Sequence, residues 1–232
     1  MNISDLENKI INADCLDILK QLPDKSVDLI LNDPPYRQEA HGRGLAGKRK
    51  IYKEMAKWTS LDNNWFTDDF LDLLVSKCVY PNVCQFGGKR DILPFLQYAE
   101  KKGYNYFVLP LCKKNPMPMT NNTWLSNEYL MHLTDRKIEC SKRYADKIPY
   151  FITGNEKETS HPNEKKIKDI ERIIVNLTNE GDMVLDCFSG SGTTAVACHN
   201  LKRRFICIEK DFDYWKASVK RLEEHKKQLS LF

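Results

Sequence analysis

Short apolar runs alternate along the chain with longer stretches in which apolar residues recur at helical spacing. The short runs predict buried strands and the longer stretches predict amphipathic helices. The predicted strands are 27–32, 83–86, 104–109, 183–186 and 204–208, with a short one near residue 10 and another within 124–133. The predicted helices are one ending near residue 22, one between 88 and 103, and 68–79, 164–178, 195–201 and 214–228. This alternation predicts an α/β fold with a doubly wound, mostly parallel sheet.

A few residues mark where these elements should begin or end. Thr67 and Asn163 are predicted N-caps, because side-chain oxygens there can accept from free helix N–H groups. Gly103 is the predicted end of its helix, since glycine adopts the left-handed backbone that helix ends need. The stretch 111–118 is punctuated by prolines and predicts a loop, and the helix over 214–228 predicts a solvated outer face of mixed charge.

Composition limits the class of protein. With 232 residues, 41% of them hydrophobic, the chain suits one domain over 1–232. A net charge of +4 is compatible with a polyanionic partner. The eight cysteines contain no C-x-x-C pair, which favours buried reduced thiols over a zinc site or a disulfide framework, so no metal is expected. No signal peptide or long apolar span is visible, so a soluble, cytoplasmic protein is expected.

The strand over 27–32 is followed at once by Asp33-Pro34-Pro35-Tyr36. Two prolines stop the strand and make the turn stiff, because each fixes φ and lacks an N–H. The turn should present the Asp33 carboxylate, the Pro34 carbonyl and the Tyr36 ring at the carboxyl edge of the sheet, where open α/β sheets bind ligands. Two acceptors beside an aromatic ring suit a flat heterocycle with an exocyclic amine. The alternative is a plain turn that ends a strand.

A second candidate site follows the strand over 183–186, where Gly190 and Gly192 lie in a turn that leads into a helix. Glycines allow close approach of a ligand, and the helix N-terminus offers N–H groups to an anion. Glu209 ends the next strand about twenty residues later, an offset at which an acid can hold both ribose hydroxyls. A dinucleotide site is the rival interpretation, but the spacing here is Gly-Ser-Gly-Thr-Thr rather than Gly-x-Gly-x-x-Gly.

Taken together, these segments resemble the S-adenosylmethionine-dependent amino DNA methyltransferases, the N6-adenine and N4-cytosine family. The resemblance is to the permuted group in which DPPY precedes the cofactor glycines. It is carried by residues 11–16, 22–28, the DPPY turn, 161–165 and 181–194. It implies a Rossmann-like class I methyltransferase fold, S-adenosyl-L-methionine as cofactor and double-stranded DNA as partner.

The resemblance also assigns residues. Asp33, Pro34, Pro35 and Tyr36 would be catalytic, with Glu128 and Tyr129 near the base pocket. The cofactor would contact Asp14, Cys15, Asp33, His161, Lys165, Asp186, Phe188, Gly190, Ser191, Gly192, Thr193, Thr194, Glu209 and Lys210. Asp14 would recognise the adenine amine of the cofactor, although a helix N-cap is its alternative role. Lys166 and Asn163 depart from the family pattern, which has Pro and Thr there.

The stretch from Arg37 to Lys57 carries seven Lys and Arg residues against two acids, interrupted by glycines. Charge and glycine without apolar periodicity predict a mobile loop, about 37–62, which would grip the DNA backbone. A solvated loop is the alternative. The predicted DNA contacts are Arg37, Arg43, Lys48, Arg49 and Lys50. A small target-recognition region is expected at about 113–160.

The resulting hypothesis is methyl transfer to the N6 amine of an adenine that is flipped out of duplex DNA. Asp33 favours adenine, because the family's cytosine-N4 members more often carry Ser there. Cytosine N4 is the alternative, followed by an RNA or protein amide and then by a non-catalytic binding subunit. The sequence leaves open a homodimer, a cognate restriction endonuclease and the recognition sequence.

Overall fold

The computed structural model describes residues 3–35, 65–113, 128–136, 147–153 and 164–229, and elements are numbered within these ranges. The strands are β1 Lys9–Asn12, β2 Leu29–Asn32, β3 Asn82–Gly87, β4 Asn105–Lys113, β5 Glu128–Thr134, β6 Phe151–Thr153, β7 Met183–Asp186 and β8 Arg204–Glu209. The helices are α1 Cys15–Gln21, α2 Asp68–Lys77, α3 Ile92–Lys102, α4 Ile167–Leu177, α5 Thr193–Asn200 and α6 Phe212–Leu229, after a short 3-10 turn at Ile3–Asp5.

These strands form one sheet in the order β1-β8-β7-β2-β3-β5-β4-β6. Neighbouring strands are parallel, except that β5 is antiparallel to both β3 and β4. The prediction of an α/β fold with a mostly parallel sheet is therefore confirmed. In this order β2 and β7 are neighbours, so the ends of the two strands that precede the candidate sites lie side by side.

The pleat of β2 shows how the two faces of the sheet are covered. Ile30 packs in an apolar cluster with α1, α2 and α3, whereas Leu29 and Leu31 pack in the opposite cluster with α4, α5 and α6. All three side chains are buried. Successive residues of a strand point to opposite faces, so a run that is apolar at every position indicates burial on both sides. This explains why β2 has no polar alternation until Asn32.

Several predicted element ends are confirmed. The Oγ1 of Thr67 accepts from the amide of Phe70 at the start of α2, and Gly103 ends α3 in the left-handed conformation with φ of 72°. The helix α2 stops at Lys77, two residues before the predicted end. Its C-cap Cys78 is extended and forms a parallel bridge with Val27, so the chain at Cys78 already pairs with the segment before β2.

Two predictions about local structure are wrong. The helix α4 begins at Ile167 rather than at Glu164, because Lys166 is extended with ψ of 137° and Lys165 and Glu164 reach away to other parts of the site. The predicted cap Asn163 lies outside the described residues. The predicted loop at 111–118 is strand as far as Lys113, because residues 111–113 pair with β6.

The described cysteines are seven free thiols, six of them buried. Burial raises the pKa of the Cys15 and Cys78 thiols to about 12, so these groups are neutral core residues at physiological pH. Within the described ranges, no helix is long and apolar enough to span a membrane.

Candidate active site

The carboxyl ends of β1, β8, β7 and β2 lie in that order along one edge of the sheet, and each has an acid as its last residue or within two residues after it. The acids are Asp14, Glu209, Asp186 and Asp33. Because the four strands are parallel, residues that are far apart in sequence meet at this edge. The structure therefore brings together the two stretches that sequence reasoning identified separately.

The glycine turn between β7 and α5 has the special backbone geometry that its residues allow. Gly190 has φ of 50° and Gly192 has φ of 78°, and Gly192 caps the N-terminus of α5. A Cβ on Gly192 would lie 2.9 Å from the Cβ of Ser218 on α6. Gly192 is thus required by its backbone conformation and by close packing on α6, in addition to any role in ligand approach.

Glu209 is fixed at the end of β8 by hydrogen bonds to both of its carboxylate oxygens. The Gly190 amide donates to Oε2 at 2.7 Å, and the Asp211 amide donates to Oε1 at 2.8 Å. Burial raises the pKa of Glu209, and these amide hydrogen bonds oppose that shift. The carboxylate is therefore held against the glycine turn.

Asp186 ends β7 directly between Glu209 and Asp33. Its Oδ1 accepts from the Phe188 amide at 2.9 Å, and its side chain is also hydrogen-bonded to Thr194. Burial, with smaller contributions from the nearby carboxylates of Asp33 and Glu209, raises the pKa of Asp186 to about 7 against the lowering effect of the two hydrogen bonds. The three acids at the Asp33 turn and the glycine turn are thus close enough to influence one another electrostatically.

The carboxylate of Asp33 forms an ion pair with Lys165, whose Nζ lies 2.6 Å from Oδ2. The same ammonium lies 3.3 Å from Oε2 of Glu128 at the start of β5, and 4.8 Å from the centre of the Phe86 ring. One cation thus links two acids above an aromatic ring in a largely buried setting. This places Glu128 and Lys165 beside Asp33.

Asp14 has the N-cap role that was its alternative interpretation: its Oδ1 accepts from the Leu16 amide at 2.9 Å. Its Oδ2 lies 2.8 Å from the ammonium of Lys210, and that hydrogen bond holds the pKa of Asp14 below its usual value. Asn12 donates to the carbonyls of Glu209 and Lys210, which ties β1 to the end of β8. The cap and a ligand role are compatible, because only one oxygen serves the helix.

An aromatic cluster lies beside the glycine turn. The Phe188 ring packs edge-on against Trp65 with ring centres 4.8 Å apart, and Trp65 packs in the same way against Phe70 at 4.9 Å. Trp65 was not identified from the sequence, because it follows a long polar stretch without apolar periodicity. The cluster gives this side of the site an apolar surface that suits a purine ring.

Three other residues at the site also escaped sequence reasoning. Asn32 is fully buried, and its Oδ1 accepts from the Cys187 amide at 2.9 Å, which joins the ends of β2 and β7. Arg221 belongs to the face of α6 that was predicted to be solvated, yet its side chain is only 15% exposed and pairs with Glu164. For Asn32 the available signal was a lone Asn at the end of an apolar run, and for Glu164 it was a place in the segment 161–165, whereas Arg221 carries none.

The remaining predicted residues are Cys15 and those that the structure does not describe. Cys15 is the first residue of α1, next to Asp14, and it is buried in the core cluster. The residues outside the described ranges are Tyr36, Arg37, Arg43, Lys48, Arg49, Lys50 and His161.

Comparisons with known proteins agree with this arrangement. A family model named N6_N4_Mtase, described as DNA methylase, matches residues 27–220. The Type II methyltransferase M2.LlaDCHI of Lactococcus lactis subsp. cremoris is 30% identical over 94% of this chain and 90% of its own. The Type II methyltransferase M.HinfI of Haemophilus influenzae is 26% identical over 97% of this chain and 71% of its own.

Solved structures show the same fold. The M1.HpyAVI–SAM complex superposes with a TM-score of 0.65 at 27% identity, over 92% of this chain and 99% of the other. The cytosine-N4-specific PvuII DNA methyltransferase superposes with a TM-score of 0.69 over 94% of this chain and 90% of the other, and at 17% identity it supports the fold alone. With the family model covering most of its length, the chain belongs to the N6/N4 family of DNA methylases.

Proposed function

We propose that this protein transfers a methyl group from S-adenosyl-L-methionine to the N6 amine of an adenine flipped out of duplex DNA. The observation that carries the proposal is the pairing of β2 with β7, which brings the Asp33 turn beside the glycine turn at one sheet edge. A methyl donor at one turn and an acceptor amine at the other would then meet without further rearrangement of the sheet.

The residues present fit S-adenosylmethionine, the ligand with which M1.HpyAVI was solved. Bound there, it supplies an electrophilic methyl on a positively charged sulfonium. Glu209 would accept from the ribose hydroxyls and Asp14 from the adenine amine, while Phe188 would cover the adenine ring. The acids along this edge of the sheet favour a cationic ligand electrostatically. Gly190 and Gly192 have positive φ, which shapes the turn that would contact the cofactor.

At the second turn, Asp33 and the Pro34 carbonyl would accept the two hydrogens of the target amine. Holding both N–H bonds turns the nitrogen lone pair out of conjugation with the ring and aims it at the methyl group. Catalysis is then positioning and electrostatics, with no covalent enzyme intermediate. The amine lies inside the DNA stack, so the target base must leave it, and Tyr36 would stack on the extruded base.

Adenine is proposed over cytosine because Asp33 opens the turn. The test is incubation with duplex DNA and labelled cofactor, followed by nucleoside mass spectrometry. The expected product is N6-methyladenine. N4-methylcytosine alone would overturn the base assignment and keep the reaction class, whereas label in RNA or protein but not in DNA would overturn both.

Partners and organisation are part of the same proposal. The curated relatives are Type II methyltransferases, which supports a restriction–modification setting with a cognate endonuclease. We predict a single catalytic domain over 1–232 and a homodimer. Within the domain we predict a DNA-contacting loop at about 37–62 and a recognition region at about 113–160. Sequencing of modified positions in DNA from expressing cells would give the recognition site.

A further inference from the structure

The Arg221 side chain connects α6, on which it lies, with the glycine turn and with the segment before α4. Its Nη2 lies 2.8 Å from Oε1 of Glu164, and the Glu164 side chain is only 3% exposed. Its Nη1 donates to the Ser191 carbonyl at 3.1 Å and to Oγ1 of Thr193 at 3.2 Å. One guanidinium therefore binds the glycine turn on one side and the segment before α4 on the other.

The Thr193 hydroxyl carries this connection further. Thr193 donates through Oγ1 to the carbonyl of Lys165 at 3.3 Å, which uses its one proton. The Ser191 hydroxyl lies 3.0 Å from the same oxygen and must therefore be the donor in that pair, as Arg221 also is. The Thr193 oxygen thus accepts twice and donates once, which is its full capacity. Every hydrogen bond at this oxygen has a fixed direction.

The connection ends at the catalytic turn. Lys165 is held through its backbone by Thr193 and lies next to Glu164 in sequence, while its ammonium contacts Asp33 at 2.6 Å and Glu128 at 3.3 Å. Lys166 is extended and α4 begins at Ile167, so Lys165 lies outside the helix. Thr193 binds the Lys165 backbone, and Arg221 pairs with its neighbour Glu164.

We propose that Arg221 is a positioning residue for methyl transfer: through Glu164 and Thr193 it sets the position of Lys165, and through Lys165 it sets the Asp33 carboxylate. This inference rests on the proposed function, because it assigns Asp33 to the target amine. These contacts connect the glycine turn, which would hold the cofactor, with the Asp33 turn, which would hold the base. Arg221 itself binds the glycine turn and is connected to the Asp33 turn through Glu164, Thr193 and Lys165.

The guanidinium is suited to this role by its shape. A planar fork with separate nitrogens can bind a carboxylate with one arm and the turn with the other, whereas a lysine ammonium is a point charge on a flexible stem. Displacing a catalytic group by about 1 Å can cost about 100-fold in rate. A residue remote from the reacting atoms can therefore have a large kinetic effect.

The test is a double-mutant cycle on single-turnover methylation of DNA. Arg221→Met should slow the chemical step at least about tenfold. Lys165→Met should slow it as well, and the double variant should be no slower than Lys165→Met, because Arg221 acts through Lys165. Arg221→Lys should recover part of the rate. Effects that multiply in the double variant, or an Arg221→Met enzyme with wild-type rate, would overturn the proposal.

Two further variants separate positioning from stability. Arg203→Met is the matched control, since Arg203 also binds backbone carbonyls, of Thr178 and Leu201, but at the opposite edge of the sheet. It should lower the urea midpoint and leave the rate unchanged; an equal slowing would refute the positioning role. If Arg221→Met does not fold, Glu164→Gln replaces it in the same cycle, with the same expected result. A wild-type protein that methylates no DNA would instead refute the proposed function.

Discussion

The amide of Gly190 donates to Oε2 of Glu209 at 2.7 Å, which joins the turn after β7 to the end of β8. The other oxygen of Glu209 accepts from the amide of Asp211. With both oxygens bound by backbone N–H groups, the carboxylate is oriented before any ligand arrives. Preorganisation of this kind lowers the cost of binding.

Glu209→Gln should weaken S-adenosylmethionine binding by about 1.5–3 kcal/mol, or about 10- to 150-fold. The side-chain oxygen of Gln can still accept from one of the two backbone amides, but its NH₂ group is a donor and faces the other N–H without a hydrogen bond. The substitution also removes the charge that favours the ribose hydroxyls. Calorimetric titration with the cofactor measures the change. Glu223→Gln, an exposed acid of α6 paired with Lys226, is the matched control and should bind normally. Equal cofactor affinities of Glu209→Gln and Glu223→Gln would show that Glu209 does not contribute to cofactor binding.

Asp33→Ala should lower the single-turnover rate by about 100-fold or more and leave cofactor affinity nearly intact, because Asp33 addresses the target amine. Lys165 keeps Glu128 as a partner in this variant, so the site is not left with a bare cation. Asp28→Ala, at the opposite end of β2, removes a carboxylate that accepts from the Met183 amide. This control should lower stability without slowing methyl transfer. A large loss of cofactor affinity in Asp33→Ala would mean that the two turns have exchanged roles.

Strand positions and the motif residues could be predicted from the sequence because each depends on local chemistry. The apolar run at 29–32 is buried on both faces, and Pro34 and Pro35 stop it, so both its existence and its end were visible. The Thr67 cap and the left-handed Gly103 were visible for the same reason. These features need no knowledge of which strands become neighbours.

The contacts that bring the site together could not be predicted in this way. Lys165 and Asp33 are 132 positions apart, and their pairing depends on the order of strands in the sheet. Arg221 looked like one charge among many on α6, because nothing in its neighbours indicates a buried partner. The start of α4 was misplaced since Glu164 and Lys165, which are good helix formers, lie outside the helix and make tertiary contacts instead.

The contribution of Asp186 to stability should fall as the pH rises from about 4 to about 7. Burial raises the pKa of Asp186 from 3.8 to about 7, so across this window the native state keeps a proton that the unfolded state has released. This contribution therefore decreases with rising pH, by up to a few kcal/mol. Burial lowers the pKa of His132 from 6.5 to about 4, which acts in the opposite direction, so the test compares variants. Urea unfolding at pH 5 and pH 7.5 gives the pH slope of stability for the wild type and for Asp186→Asn. The slope should be more positive in Asp186→Asn, and an unchanged slope would contradict the role of Asp186.

Gly192→Ala and Gly181→Ala form a matched pair, because both glycines have positive φ, 78° and 83°. Gly181 has open space around its Cβ position, so its substitution should cost only the backbone strain, about 1–2 kcal/mol. Gly192→Ala should cost about 1–3 kcal/mol more, because the new Cβ overlaps Ser218 at 2.9 Å. Adding Ser218→Gly should recover that excess in urea unfolding. Equal costs at the two glycines would argue against the tight packing on α6.

Neutralising Lys48, Arg49 and Lys50 together should weaken binding to DNA of any sequence. If each contacts a phosphate, the slope of log K against log salt should flatten by about 0.9 per lost contact, while cofactor affinity stays constant. The matched control neutralises three exposed lysines of α6, Lys216, Lys220 and Lys227, and removes the same charge. If the two triple variants have the same slope of log K against log salt, the Arg37–Lys57 segment is better interpreted as a solvated loop.

The position of β1 has a consequence for synthesis on the ribosome. Within the described sheet β1 lies at the edge with β8 as its neighbour, and the register partners Asn12 and Glu209 are 197 positions apart. A strand made early therefore has no place in the sheet until β8 has left the exit tunnel, although domains generally begin to fold from the N-terminus. Nascent chains stalled before Arg204 should expose Lys9–Asn12 to protease. Chains that carry a C-terminal linker long enough to place β8 outside the exit tunnel should protect it. The cofactor pocket, which uses the ends of both strands, would be among the last parts of the molecule to form.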